Sequence, residues 1–171
     1  MRFWTKNVNQ LGFVVRDMHA AIRFWNDRMG VGPFDVSTRV MEGMTYRGEP
    51  TKVEVKITST CAGEIFIELI QQLNDGKSAY RDFLDSGQEG LQHLGYFTYD
   101  YDNDYRACLE SGLVAVQEGP SRHDAATRFA YFEAPDEKGP QIELIGMSLT
   151  KRARFGALRH RSEQWVAEHF A

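Results

Sequence analysis

The chain carries one pattern twice. Near the start it reads Gln10-Leu-Gly-Phe-Val-Val-Arg-Asp17, and 83 positions later it reads His93-Leu-Gly-Tyr-Phe-Thr-Tyr-Asp100. A second echo, offset by 75, pairs Ile67-Glu-Leu-Ile70 with Ile142-Glu-Leu-Ile145. A duplicated sequence folds into two similar modules, and each half alone is too short for a thick core, so the halves are expected to pack together. The duplication also sets Gln10 against His93 and Glu68 against Glu143 as two pairs of equivalent positions. An amide, an imidazole and two carboxylates at matched places form a candidate metal site.

The order of elements repeats as well. Val8 to Val15 reads as a strand, and Asp17 can cap the helix after it. His19 to Met29 places Ile22, Trp25 and Met29 on one helical face, and Gly30-Val-Gly-Pro33 ends that helix. Phe34–Met41, Val53–Thr58 and Glu64–Gln71 read as strands, with Gly43, Gly48, Pro50 and Gly63 at the turns. Module one is therefore β-α-β-β-β over about residues 7–73. A connector over about 74–89 holds a short helix from Ser78 to Leu84. Module two, about 90–147, repeats the order with strand Leu91–Tyr99, helix Asp102–Ser111 and strands Leu113–Gln117, Arg128–Glu133 and Pro140–Gly146. Gly119–Thr127 reads as an irregular loop that holds Arg122 and His123, two candidate substrate-binding residues. The tail, about 150–171, is helical in character, with Leu158, Trp165 and Phe170 as anchors and a basic run of Lys151, Arg152, Arg154, Arg159 and Arg161. The fold class is α+β: two tandem βαβββ modules in a cleft-shaped sheet, plus a C-terminal helix, as a single domain over 1–171.

Strand alternation turns the duplication into geometry. Successive side chains point to opposite faces. If Ile67 and Leu69 pack on a helix, Glu68 faces the other, concave side, and Glu143 follows the same rule between Ile142 and Leu144. If Leu11 and Phe13 pack on a helix, Gln10 shares its face with Gly12, and His93 shares its face with Gly95. The small glycines leave room beside both polar residues. A carboxylate on a face with Phe66 and Ile70 is also unlike a residue of a solvated sheet, and a buried carboxylate needs a partner or a metal.

Composition excludes several function classes. A net charge of −4 and an isoelectric point near 5.7 give no general attraction to nucleic acid or to an anionic membrane. No apolar run approaches the roughly 18 residues of a membrane span. The opening Met1-Arg-Phe-Trp-Thr-Lys6 lacks the apolar core of a secretory signal. Cys61 and Cys108 have no motif spacing and read as packing residues in a reducing compartment. These features describe a soluble cytoplasmic protein.

From Val8 to Met147 the chain resembles the vicinal oxygen chelate superfamily, which includes glyoxalase I, methylmalonyl-CoA epimerase, extradiol dioxygenases and bleomycin-resistance proteins. The residues that carry the resemblance are Gln10-Leu-Gly-Phe13, Phe24-Trp25 with Gly30-Val-Gly-Pro-Phe34, Ile67-Glu-Leu-Ile70, Gly90-Leu-Gln-His93-Leu-Gly95 and Gly139-Pro-Gln-Ile-Glu143-Leu144. The phrasing is most similar to the epimerase and glyoxalase branch. The resemblance implies one divalent ion (Zn, Ni, Co, Mn or Fe) held by Gln10, Glu68, His93 and Glu143. It implies a small-molecule carbonyl substrate and an isomerase, epimerase or lyase that moves a proton next to the carbonyl through a metal-stabilised enediolate. Glu143 is the first candidate for the base and Glu68 the second. A homodimer is the expected assembly. Many epimerase-like members have His at the place of Gln10 and Gln at the place of Glu68, whereas the set Gln, Glu, His, Glu resembles some glyoxalase I enzymes. The alternatives are an Fe(II) ring-cleaving dioxygenase, against which Gln10 argues by replacing one histidine of the usual facial triad, and a non-catalytic small-molecule binding protein.

Overall fold

The computed structural model describes residues 7–121 and 124–170. The elements run β1 (Gln10–Val14), α1 (Met18–Met29), β2 (Ser37–Tyr46), β3 (Glu49–Ala62), β4 (Ile65–Gln72), α2 (Ala79–Asp85), β5 (Gly90–Thr98), α3 (Tyr101–Glu110), β6 (Val114–Ser121), β7 (Asp124–Glu133), β8 (Gln141–Gly146) and α4 (Leu149–Phe170). The twofold β-α-β-β-β order expected from the duplication is present. No described helix is long and apolar enough to cross a membrane.

Local chemistry sets the boundaries. The Asp17 carboxylate accepts from the amides of His19 (2.9 Å) and Ala20 (3.0 Å), so it caps α1. Gly30, at φ 62°, ends α1 in the left-handed conformation that glycine adopts without a Cβ penalty. Between β2 and β3, Arg47 and Gly48 both take positive φ (49° and 82°), the pattern of a tight primed hairpin turn.

Two expectations need correction. The strands of this hairpin run well past their apolar cores, so Gly43 and Pro50, both read above as turn markers, lie within β2 and β3, Gly43 at a bulge and Pro50 opposite Thr45. Pro50 sits beyond the stretch of β3 that pairs with β4, so its missing N–H breaks no ladder bond on that side. Gly119–Thr127 is likewise not an irregular loop. Gly119, Pro120 and Ser121 belong to β6, and Asp124–Thr127 open β7, with Gly119 opposite Phe129 and Pro120 opposite Arg128. Ladder pairing with a neighbour overrides a local composition rich in turn residues.

The eight strands form one barrel in the order β1-β4-β3-β2-β6-β7-β8-β5. Each module contributes four consecutive strands, and the modules join edge to edge within the chain. At one seam β1 and β5 run antiparallel, with Gln10 opposite Gly95 and Gly12 opposite His93. At the other, shorter seam Thr45 and Tyr46 pair with Glu118 and Gln117, and the Arg47 amide donates to the Val116 carbonyl at 2.8 Å.

Packing follows the alternation. Ile67 and Leu69 lie with Leu11, Phe13, Ile22 and Trp25 under α1, and Ile142 and Leu144 lie with Cys108 and Tyr105 under α3. Inside the barrel, Val14, Ile70, Val53, Val55 and Val116 fill one end with Tyr80 and Leu84 from α2. Cys61 and Cys108 are buried free thiols, in line with a packing role.

The C-terminal helix crosses the other end. Its Phe155 ring lies 4.6 Å from Phe66 and 4.8 Å from Phe97, centroid to centroid. Ser162 fastens α4 to module one: its hydroxyl exchanges a hydrogen bond with the Thr60 hydroxyl (2.6 Å), accepts from the Cys61 amide (3.1 Å) and donates to the Gly32 carbonyl (2.8 Å). Trp165 packs against the same Gly32 turn. Ser162→Ala leaves buried polar groups unsatisfied and is expected to lower stability by about 1–3 kcal/mol. The checks are a lower urea midpoint and faster hydrogen exchange across α4.

Candidate metal centre

Four polar side chains meet where β1, β4, β5 and β8 adjoin inside the barrel. Gln10 is 3 % exposed, Glu68 4 %, His93 0 % and Glu143 7 %. Two carboxylates buried this deeply require compensating partners or a cation. The duplication predicts this convergence, and all four residues come from one chain.

The glycines explain how the group fits. Gly12 faces His93 across the seam, and a Cβ on Gly12 would stand 1.8 Å from His93 Cε1 and 1.9 Å from Nε2. Gly95 faces Gln10, and a Cβ there would stand 2.8 Å from the Gln10 Cβ. Each module thus supplies a polar residue and, two positions later, the glycine that shelters the other module's polar residue. The repeated Leu-Gly step is the sequence trace of this reciprocal packing.

The donor atoms converge. The Gln10 amide nitrogen donates to Glu68 Oε2 (3.2 Å) and Glu143 Oε2 (3.1 Å) and lies 3.4 Å from His93 Nε2. His93 Nε2 stands 3.2 Å from Glu143 Oε2 and 3.7 Å from Glu68 Oε2. The Ser59 hydroxyl donates to the other oxygen of Glu68. On the outer side of the ring, His93 Nδ1 donates to the Gln92 side-chain carbonyl at 2.7 Å, and Gln92 in turn donates to Gln141 at 2.6 Å. A histidine whose outer N–H is held this way presents Nε2 in a fixed direction, the usual support of a metal-ligating imidazole.

The electrostatics follow from this crowding. Burial alone disfavours the imidazolium. Hydrogen bonding to Glu143 and Glu68, together with their charges, outweighs burial and pushes the His93 pKa up to about 9. Tyr131 packs edge-on against the His93 ring at 4.9 Å. Burial first, and then the charges of Glu143, Tyr80 and Glu68, raise its hydroxyl well above the ordinary tyrosine value, so it stays protonated. That hydroxyl lies 3.1 Å from the Tyr80 hydroxyl.

The residues fit a divalent ion. Glu68, His93 and Glu143 each offer one ligand atom, and these atoms all lie within 4.8 Å of one another. At metal–ligand lengths of about 2.1 Å, adjacent ligand atoms in a tetrahedral or octahedral shell stand roughly 3.0–3.4 Å apart. The spacings from His93 Nε2 to the two carboxylates, 3.2 and 3.7 Å, need little change to reach that. Half a turn of the Gln10 carboxamide presents its oxygen in place of its nitrogen, because the two ends are nearly isosteric.

Other expectations resolve unevenly. Arg122 and His123 lie outside the described residues. The basic run divides: Arg159 pairs with Glu64 and Arg161 with Asp35, while Lys151 turns inward and is buried. Lys151 and Phe155 of α4, with Tyr80, Ser121 and Tyr131, wall the cavity over Gln10, Glu68 and Glu143. No motif marks Tyr80 or Tyr131, which lie outside the repeated segments. A lysine in a run of cations on a terminal helix reads as solvated.

The model of the Glyoxalase/Bleomycin resistance protein/Dioxygenase superfamily matches residues 9–132. The chain belongs to this superfamily. Among solved structures, its fold is similar to methylmalonyl-CoA epimerase from Mycobacterium tuberculosis, with 20 % identity, a TM-score of 0.59, and coverage of 85 % of this chain and 90 % of that one. A Streptomyces coelicolor methylmalonyl-CoA epimerase variant in complex with 2-nitronate-propionyl-CoA gives 16 % identity and a TM-score of 0.58, covering 84 % and 96 %. A hypothetical protein from Bacillus halodurans C-125 gives 16 %, 0.58, and 84 % and 96 %. At these identities the likeness is one of fold. No curated protein matches the chain. The superfamily match ends before β8, so Glu143 and α4 lie beyond it.

The glycine packing yields a test. Gly12→Ala places a methyl group inside the His93 ring position and is expected to destabilise the fold by about 1–3 kcal/mol and to displace the imidazole. Thermal unfolding reads the first effect, and loss of the Co(II) absorption bands of a cobalt-titrated protein reads the second.

Proposed function

We propose that the protein is a divalent-metal-dependent isomerase, epimerase or lyase that transfers a proton at the carbon next to a carbonyl. The observation that carries this reading is the buried Glu68–His93–Glu143 cluster with Gln10 against it, at the bottom of a walled cavity. In this reading Gln10, Glu68, His93 and Glu143 hold the ion. A divalent ion in that place supplies Lewis acidity to the substrate carbonyl and stabilises negative charge as it develops on the oxygen.

The chain's own residues supply the rest. Glu143, on β8, lines the cavity and is the base that takes the α-proton. Glu68, on β4 of the other module, faces it across the cluster. Carboxylates on two sides of a bound substrate suit removal of the proton on one face and return on the other, which is epimerisation, or return to a neighbouring carbon, which is isomerisation. Gln92 holds His93 in a single orientation throughout. The Tyr131 hydroxyl, kept protonated, offers a neutral donor to the cavity. Phe155 and α4 keep bulk water from the proton in transit.

The donor set disfavours the dioxygenase alternative. The cluster contains one imidazole and two carboxylates, whereas non-haem Fe(II) oxygenases use two histidines and one carboxylate.

Elemental analysis of protein purified without chelators is expected to find about one divalent ion per chain. Protein that arrives free of metal and then binds none of Ni, Co, Zn or Mn in calorimetric titration would defeat the reading. Glu143→Gln is expected to slow deuterium incorporation next to the carbonyl of a turned-over substrate by about 10²–10⁴-fold, with the circular dichroism spectrum unchanged. Exchange at the parent rate would remove Glu143 from the role of base. Phe155→Ala is expected to open the cavity and speed metal loss to a chelator, read as the half-time of stripping by EDTA.

A further inference from the structure

The least expected member of the cavity wall is Lys151. It sits in the first turn of α4, where the Ser148 hydroxyl accepts from its backbone amide at 3.1 Å, and it is 2 % exposed. Its Nζ donates to the Gly146 carbonyl, at the end of β8, at 2.6 Å. The same side chain lines the cavity with Gln10, Glu68, Glu143, Ser121 and Tyr131. Lysine is among the residues least often fully buried, because its ammonium ion loses hydration there. Asp124, at the start of β7, also feels its charge.

Helix α4 had cheaper choices at this position. Arg152 and Arg154, within one turn of it, are exposed. A leucine or methionine in place of Lys151 would fill the same wall without desolvating a cation. The sign of the charge is therefore informative. A divalent ion would balance Glu68 and Glu143, and Gln10 is neutral, so Lys151 is the cation among the side chains that line the cavity, with Asp124, outside that lining, near enough to feel its charge. Such a cavity favours an anion over a neutral molecule of the same shape. Its volume of about 40 Å³ holds only a few waters, which limits the reacting end of the substrate to a compact group.

We propose that Lys151 anchors the carboxylate of a small oxo- or hydroxy-acid substrate whose reacting carbonyl or hydroxyl faces the Glu68–His93–Glu143 cluster. This inference rests on the function proposed above and names its substrate class. A carboxylate within a bond or two of the reacting carbon is an anion compact enough for the cavity that Lys151 lines together with Glu68 and Glu143. The family match ends short of α4, so this anchor is a feature of the chain's own tail.

The test compares two probes of nearly equal shape that differ in charge. Pyruvate carries a carboxylate next to a methyl ketone, and hydroxyacetone replaces that carboxylate with a neutral hydroxymethyl group. Binding of each is measured by calorimetry on the full-length protein, as isolated and after loading with Mn(II), with metal content determined on the same samples. The parent protein is expected to bind pyruvate about 10- to 100-fold more tightly than hydroxyacetone, the range of a charge-assisted hydrogen bond. Lys151→Met is expected to abolish that preference and leave hydroxyacetone binding and metal content unchanged. A parent protein without the preference, or a Lys151→Met protein that keeps it, would overturn the assignment. If Lys151 only fastens α4 to β8, the substitution weakens both probes equally, which also overturns it. The parent comparison stands even if the variant fails to fold. Absence of metal binding defeats the proposed function, and the pyruvate–hydroxyacetone comparison on protein as isolated then decides on Lys151 separately.

Discussion

The close approach of β1 and β5 is the constraint on which the site depends. Gln10 and His93 are large polar side chains on adjacent strands of a barrel interior, and they fit only because Gly95 and Gly12 lie opposite them. With the imidazole seated on a glycine, Nε2 reaches Glu143 and Glu68. With the amide seated on the other glycine, it reaches the same carboxylates from the opposite module. The pseudo-twofold axis therefore does chemical work. It brings four donors together from four strands without any loop to position them, and sites on such rigid elements hold their geometry better than sites on loops.

Much of this was legible in the sequence, and the reason is periodicity. A repeat fixes equivalence, and strand alternation fixes which face a residue takes. Gln10, Glu68, His93 and Glu143 could thus be placed on one concave face, and Ile67, Leu69, Ile142 and Leu144 under the helices, from spacing alone. What escaped notice has no period. Tyr80 comes from the connector, Tyr131 from a strand whose outer neighbours are also apolar, and Lys151 from a tail with no counterpart in the repeat. The hairpin of β6 and β7 escaped for another reason. Gly119, Pro120 and Ser121 carry the composition of a turn, and only the partner strand shows that they extend a ladder. The short reading of β3 failed in the same way, since its ends are polar and are held by neighbours instead of by burial.

Helix α4 changes what the barrel is. The duplicated modules alone leave the cluster open at the end marked by Phe66 and Phe97. The helix closes that end with Phe155, places Lys151 in the wall, and is itself held by Ser162 against Thr60, Cys61 and Gly32. The cavity thus has two kinds of wall. The symmetric part supplies the cluster, and an appended, asymmetric part supplies Lys151 and Phe155 beside it.

The two seams of the barrel are unequal, and this has a mechanical consequence. One runs the whole length of β1 against β5, while the other is shorter, with Thr45 and Tyr46 opposite Glu118 and Gln117 and the Arg47 amide donating to the Val116 carbonyl. Strand pairs part most readily where their ladder is shortest. The β2–β6 joint is therefore the easier of the two to open, and it lies across the barrel from β1 and β5, the strands that carry Gln10 and His93.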